Sequence, residues 1–214
     1  VEQEPTFELS GGALCLDFAN TWGDRERPEE ERLRSYPDLL AFALQTGTLT
    51  ADEAARLAGR AGREPGEAAA ALARAVELRE ALYRIFSAGA AEAAGATGRG
   101  PEAADLERLN AALPEALSHL RLEPRGRELV WAWAAADDPL EAPLWPVVRS
   151  AAELLTAEER RRVRECGGGA CTWLFLDHSR NRSRRWCSME TCGNRAKARR
   201  HYRRRTDQDS AGAG

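Results

Sequence analysis

Residues 166–192 read CGGGACTWLFLDHSRNRSRRWCSMETC, and this stretch decides the architecture of the C-terminal part of the chain. Its four cysteines fall in two matched pairs, Cys166-x4-Cys171 and Cys187-x4-Cys192, with fifteen residues between the pairs. In a reducing compartment such knuckles hold metal more readily than they form disulfides. A module of under ~50 residues buries too little apolar surface to offset its conformational entropy, so a staple is required. A structural Zn²⁺ held by four thiolates at about 2.3 Å supplies it, and a complete thiolate set leaves no open position for catalysis. Gly167, Gly168 and Gly169 let the first knuckle turn tightly. Residues 173–176 (WLFL) read as a strand, 185–188 (RWCS) as its partner, and Cys192-Gly193 as the start of a helix reaching about Arg205. Knuckle, hairpin and a last ligand at a helix N-terminus describe a treble-clef-like finger, in which the helix end favours the Cys192 thiolate. His201, more than two helical turns beyond Cys192, is the weaker alternative ligand.

Charge is distributed as unevenly as cysteine. The 214-residue chain has a formal charge of −3, yet residues 160–205 carry fifteen Arg or Lys against Glu165, Asp177 and Glu190, about +12, leaving −15 for the remainder. An acidic body bearing a basic module suits a polyanionic partner. Arg195, Lys197, Arg199, Arg200, Arg203 and Arg204 lie on the presumptive terminal helix, and Arg180, Arg182, Arg184 and Arg185 form a second cluster between the strands. These are the candidate nucleic-acid-binding residues: most grip phosphates while a few reach base edges. Asn194 suits a scaffold role at the knuckle better than base contact, and Ala198 and Tyr202 are expected to pack against Phe175 or Trp186. The competing reading of the arginines is a surface docked on the chain's own acidic body.

The part before the finger, residues 1–156, reads as an α+β domain that is mostly helical. The opening SGGALCLDFANT (10–21) is a Gly-Gly turn into an apolar stretch whose periodicity leaves strand and short helix both open. Cys15 within it is a small hydrophobe. Residues 24–34 (DRERPEEERLR) read as a solvated loop. Tyr36-Pro37-Asp38 leads into a helix ended by Gly47, Thr50 and Glu53 form a capping-box pattern, and a long helix starts near Pro65. Residues 87–104 read as a loop and 105–113 as a short helix. Alternation around Pro124-Arg125-Gly126 predicts a β-hairpin with Trp131 and Trp133 on one face, and a last helix is expected over 140–155. Trp131, Trp133 and Trp145 are assigned to the core. The finger then spans 157–205, and 206–214 is expected to be disordered.

Phe-Leu-Asp (175–177), Ser-Arg-Asn-Arg-Ser-Arg-Arg-Trp-Cys-Ser-Met (179–189) and Cys-Gly-Asn-Arg-Ala-Lys (192–197) resemble the CGNR zinc finger. Leu-Cys-Leu-Asp-Phe-Ala-Asn-Thr (14–21) is similar to the start of the ABATE domain that accompanies that finger. The resemblance implies a stress-induced bacterial transcription regulator whose finger binds DNA.

Within the body, Asp17, Asn20 and Thr21 are polar in an apolar segment, so each needs a hydrogen-bonding role. Bracing of a helix or of Arg25 is the favoured reading. The sharper one places all three in a small-molecule effector pocket that repositions the finger. RNA is the alternative partner, through stacking by Trp186 and Tyr202, and a homodimer is expected if DNA half-sites are paired. A metal-dependent nuclease using Asp177, His178 and Asn181 is disfavoured, because only three histidines are present to hold a second metal; no enzyme is expected. No run approaches the ~18 apolar residues of a membrane span. The acidic start VEQEPTFELS lacks the pattern of a signal peptide, so a cytoplasmic protein, on the nucleoid when DNA-bound, is expected.

Overall fold

Two capping boxes set the entry to the helical body. In the computed structural model, which describes residues 6–96, 100–134, 138–200 and 202, the Ser35 amide donates to Asp38 Oδ2 at 2.7 Å and the Thr50 amide to Glu53 Oε2 at 2.7 Å. They start α2 (Tyr36–Gln45) and α3 (Ala51–Arg63). Gly47, at φ +70, ends the first of these as expected. The segment left open between strand and helix is α1 (Leu14–Ala19), with Cys15, Leu16, Phe18 and Ala19 buried. The long helix α4 (Pro65–Ala93) runs well past the expected loop start at 87. Its last turns are alanine-rich and Ala90 is buried, which offsets the roughly 1 kcal/mol penalty of Gly89. α5 (Ala103–Ser118) is likewise longer than expected: it carries Pro114 inside and keeps Ala116 in the core beyond it.

The hairpin forms from β1 (Leu120–Arg125) and β2 (Glu128–Trp133), antiparallel, with Leu122 opposite Trp131 and Arg125 opposite Glu128. Its turn is therefore Gly126-Arg127, with Gly126 at φ +68, and Pro124 belongs to the strand. Trp145 is buried, stacked on His119 with ring centroids 4.0 Å apart, and Trp133 packs against it. Trp131 departs from its core assignment: it is 55% exposed and lies under the Arg149 guanidinium. The hairpin reaches beyond the body, so only its base touches the core. The last helix of the body, α6 (Trp145–Thr156), starts later than expected, after a 3-10 turn at Ala142–Leu144. Residues 24–34 are not simply solvated: Trp22 bridges to Glu31, and Leu33 and Asp24 are buried.

The finger strand 174–176 does not pair with 185–188. β3 (Val163–Glu165) pairs antiparallel with β4 (Leu174–Leu176), matching Val163 to Leu176 and Glu165 to Leu174. The 185–188 segment makes one backbone bond to the knuckle, from the Gly167 amide to the Arg185 carbonyl at 2.8 Å. Val163, Leu174 and Leu176 are buried in the same core as Leu16, Phe42 and Val148, whereas Phe175 points to the cysteines. One strand thus alternates between two cores and joins them. Past Cys187, a single π-helical turn (Met189–Gly193) leads into a helix over 194–200.

Candidate metal centre and basic surface

The four cysteines converge as their spacing predicts. All four Sγ atoms lie within 4.8 Å of one another, with Cys171–Cys187 at 3.8 Å and Cys187–Cys192 at 3.7 Å. A tetrahedron with Zn–S bonds of about 2.3 Å has edges of about 3.8 Å, so the two shortest Sγ–Sγ separations already match a zinc site and the donor set as a whole suits one. The cradle is closed by glycine: a Cβ at Gly168 would stand 3.1 Å from Cys192 Sγ and 3.3 Å from Cys166 Sγ. The Cys187 amide donates to Cys166 Sγ at 3.3 Å and the Arg195 guanidinium to Cys192 Sγ at 3.5 Å, donors that stabilise charge on the thiolates. Hydrogen bonding from Cys171 lowers the Cys166 thiol below its ordinary range, while the same contact raises that of Cys171. Four touching thiols cannot all ionise without a cation, and a divalent metal is what this site is shaped for. When bound, zinc supplies structure, since thiolates take every position.

The loop after β4 is organised around Asp177. Burial alone would raise its carboxyl, but bonds from the Ser179 hydroxyl and amide and from the Arg184 amide outweigh this and hold it below the ordinary aspartate range. Asp177 is thereby engaged in building a turn.

The ten candidate cations divide by role. Arg184 is structural: its guanidinium donates to the carbonyls of Trp186, Leu176, Ser10 and Cys187 and lies over the Phe175 ring. Arg195 is turned to Cys192, and Arg199 donates to the Gly168 carbonyl at 2.9 Å. Arg180, Arg182, Arg185, Lys197 and Arg200 are exposed. Arg203, Arg204 and the alternative ligand His201 lie outside the described residues, as does the tail 206–214. Asn194 has the expected scaffold role, donating to the Glu190 carbonyl. Tyr202 and Ala198 do not pack inward: Tyr202 is 74% exposed and Ala198 is exposed, because the helix leaves the finger core after Gly193.

Of the three polar residues of the opening segment, Asn20 fastens the body to the finger directly, Asp17 does so through Gly11, and Thr21 bonds within the body. Asn20, 3% exposed, donates to the Leu174 carbonyl and accepts from its amide, both at 2.8 Å. Asp17 accepts from the Gly11 amide at 2.7 Å, and the Gly11 carbonyl accepts from the Leu176 amide. Thr21 donates to the Phe18 carbonyl. Arg25 is braced by other groups, Glu80, Thr172 and the Ala19 carbonyl.

Comparison with protein families joins these observations. The ABATE model, described as "Putative stress-induced transcription regulator", matches residues 12–158, and the CGNR zinc finger model matches 162–205. The chain belongs to the ABATE family. No curated protein matches it. The ABATE and CGNR families are a regulator and a zinc finger rather than enzyme families, and together with the four-cysteine cluster they support a regulatory role with a structural zinc. Among the described residues no helix is long and apolar enough to cross a membrane.

Sequence reading missed the charged network behind α1. Arg79 is 0% exposed, donates twice to Glu31 at 2.6 Å and once to Glu80 at 2.9 Å, and ties the 24–34 loop to α4. The signal was present: Arg79 falls four residues after Ala75 and three before Leu82, on the apolar stripe of α4, where a cation needs a partner.

Proposed function

We propose that this ABATE-family chain is a transcription regulator that binds duplex DNA through the exposed cations of its finger. The observation that carries the reading is a metal-anchored base from which Lys197 and Arg200 project on one segment and Arg180, Arg182 and Arg185 on another, on a chain that is acidic elsewhere. Such a field orients the molecule on a polyanion and repels it from the wrong face. The finger shares its core with the body through β3 and β4, so any signal received by the body reaches the finger through packing rather than through a swinging linker. Single-stranded RNA is the second reading, through stacking of the largely exposed Tyr202 side chain on an unpaired base.

The test is fluorescence anisotropy of the zinc-loaded protein on a labelled duplex and on a single-stranded RNA of equal length, across a salt series. Stronger duplex binding whose log K falls linearly with log salt, and weaker binding by K197Q/R200Q at unchanged thermal stability, are expected. Salt-independent binding, or preference for the single strand lost in Tyr202→Ala, overturns the duplex reading.

A further inference from the structure

The register of β3 and β4 has a consequence at its open end. With Val163 opposite Leu176, the chain before β3 and the chain after β4 leave the ladder side by side, and the Asp177 amide donates to the Arg162 carbonyl at 2.9 Å. The turn Glu158–Arg162 therefore lies against the loop 178–183. That loop is built rather than slack: the Arg182 amide donates to the Ser179 carbonyl at 3.1 Å and the Ser183 amide to Ser179 Oγ at 2.9 Å. It holds Arg182 at φ +50, a left-handed conformation that a non-glycine residue adopts only where its surroundings impose it.

Arg160, Arg161, Arg164 and Arg182 border one concavity of about 740 Å³, in which Glu92 is the sole acidic lining residue among the described residues. Among the described residues no carboxylate lies within ion-pair distance of Arg160, Arg164 or Arg182, and Arg161 meets only Glu158, at 3.3 Å with both side chains in solvent. Such an exposed pair is weak and yields readily to a phosphate. Along this open rim the Arg160 guanidinium donates to the Ala157 carbonyl at 3.5 Å and that of Arg164 to the Arg161 and Val163 carbonyls at 2.8 Å, bonds that orient the two charges without neutralising them, and with Arg161 and Arg182 they match the spaced charges of a nucleic-acid backbone.

We infer that Arg160, Arg161, Arg164 and Arg182 form a second phosphate-binding surface, outside the terminal helix, that extends the duplex-DNA footprint onto the connector between α6 and β3. The inference rests on the DNA-binding reading above and adds Arg160, Arg161 and Arg164 to the cations named there, with Arg182 joining the two sets. Because β3 and β4 belong to the shared core, this surface and the helix keep a fixed spacing, and both engage one duplex at once.

The experiment measures salt slopes for the full zinc-loaded chain on a labelled random-sequence duplex. It compares R160Q/R161Q, R182N (asparagine tolerates the left-handed backbone) and a control, R125Q/R127Q, which removes two exposed charges at the hairpin turn. Each lost phosphate contact lowers the slope by about 0.9, so R160Q/R161Q is expected to lower it by about 1.8 and R182N by about 0.9, with the control unchanged. Zinc content and melting temperature should match the parent in all three. If the parent binds with a steep slope and these variants retain it, the second surface is overturned while DNA binding stands. If the parent shows no salt-dependent binding, both readings fall. Saturable dodecanoate binding that R160Q/R161Q abolishes, with DNA slopes unaltered, would assign the concavity to an anionic amphiphile and overturn the proposal.

Discussion

Asn20 and the backbone of Leu174 exchange two hydrogen bonds, both 2.8 Å long, across 154 residues of sequence. Both groups are buried, so removing the side chain leaves an amide and a carbonyl of β4 without partners. Each orphaned buried group costs roughly 1–3 kcal/mol. Asn20→Ala is expected to lower unfolding stability by about 2–4 kcal/mol, read from urea denaturation, and Asn20→Asp to be destabilising as well, because a carboxylate cannot donate to the Leu174 carbonyl. A variant within 0.5 kcal/mol of the parent, roughly the scatter of surface substitutions, would deny the pair its fastening role.

The sequence revealed those parts of the molecule whose determinants are local. The capping box at Thr50, the hairpin alternation and the cysteine knuckles all lie within a few residues of their effects. What escaped reading depends on distant partners. β3 is three residues long, too short for a period, and becomes a strand because Leu174–Leu176 lies beside it. The 24–34 loop reads as solvated until Arg79, from α4, takes Glu31. Arg184 and Arg200 are the same letter; the four carbonyls around the former make it a scaffold residue, whereas the latter is exposed.

Zinc should stabilise the whole chain, not the finger alone. Leu174 and Leu176 are core residues of the body, whereas Phe175 between them packs with Cys166, Cys187 and Cys192. Calorimetry of the zinc-loaded protein is expected to show one transition, which moves down as a whole on chelation. Gly168→Ala, whose methyl would press on Cys166 and Cys192 Sγ, should reproduce the shift and lower bound zinc. Two separate transitions, with only the lower one sensitive to the chelator, would mean that the two cores are not coupled.

Cys15 should be chemically silent in the native protein. Burial is the main reason its thiol is pushed up to about 12, and a thiol that does not ionise is a poor nucleophile. With zinc bound, a thiol reagent such as DTNB is expected to modify none of the five cysteines rapidly; on chelation four should react and Cys15 should wait for global unfolding. Fast modification mapped to Cys15 by peptide mass analysis would contradict its place in the core.

Arg184 and Lys197 should separate stability from binding. Arg184→Lys keeps the charge but cannot reach four carbonyls at once, so it is expected to cost about 1–3 kcal/mol. Its duplex-DNA salt slope, measured below the transition, should be unchanged. Lys197→Gln should leave the urea midpoint where it is and lower the slope by about 0.9. The reverse pattern would transfer Arg184 from the scaffold to the binding surface.

Asp17 gives stability a pH dependence of unusual sign. Burial pushes its carboxyl up to about 6, against the bond from the Gly11 amide, which lowers it; the unfolded chain has the ordinary value of 3.8. The folded state therefore holds the proton more tightly, and ionised Asp17 opposes folding. This penalty is absent below pH 3.8, grows between there and about pH 6, and is complete above it. Asparagine can still accept from Gly11 but carries no charge. Asp17→Asn should therefore be more stable than the parent at pH 7.5 by about 1–2 kcal/mol, a full two-unit shift being worth roughly 2.7 before allowance for partial solvent screening. At pH 4 the two should nearly coincide. Paired urea titrations at those pH values decide it, and a variant that is less stable at pH 7.5 would show that the charge, rather than the hydrogen bond, holds Gly11 against β4.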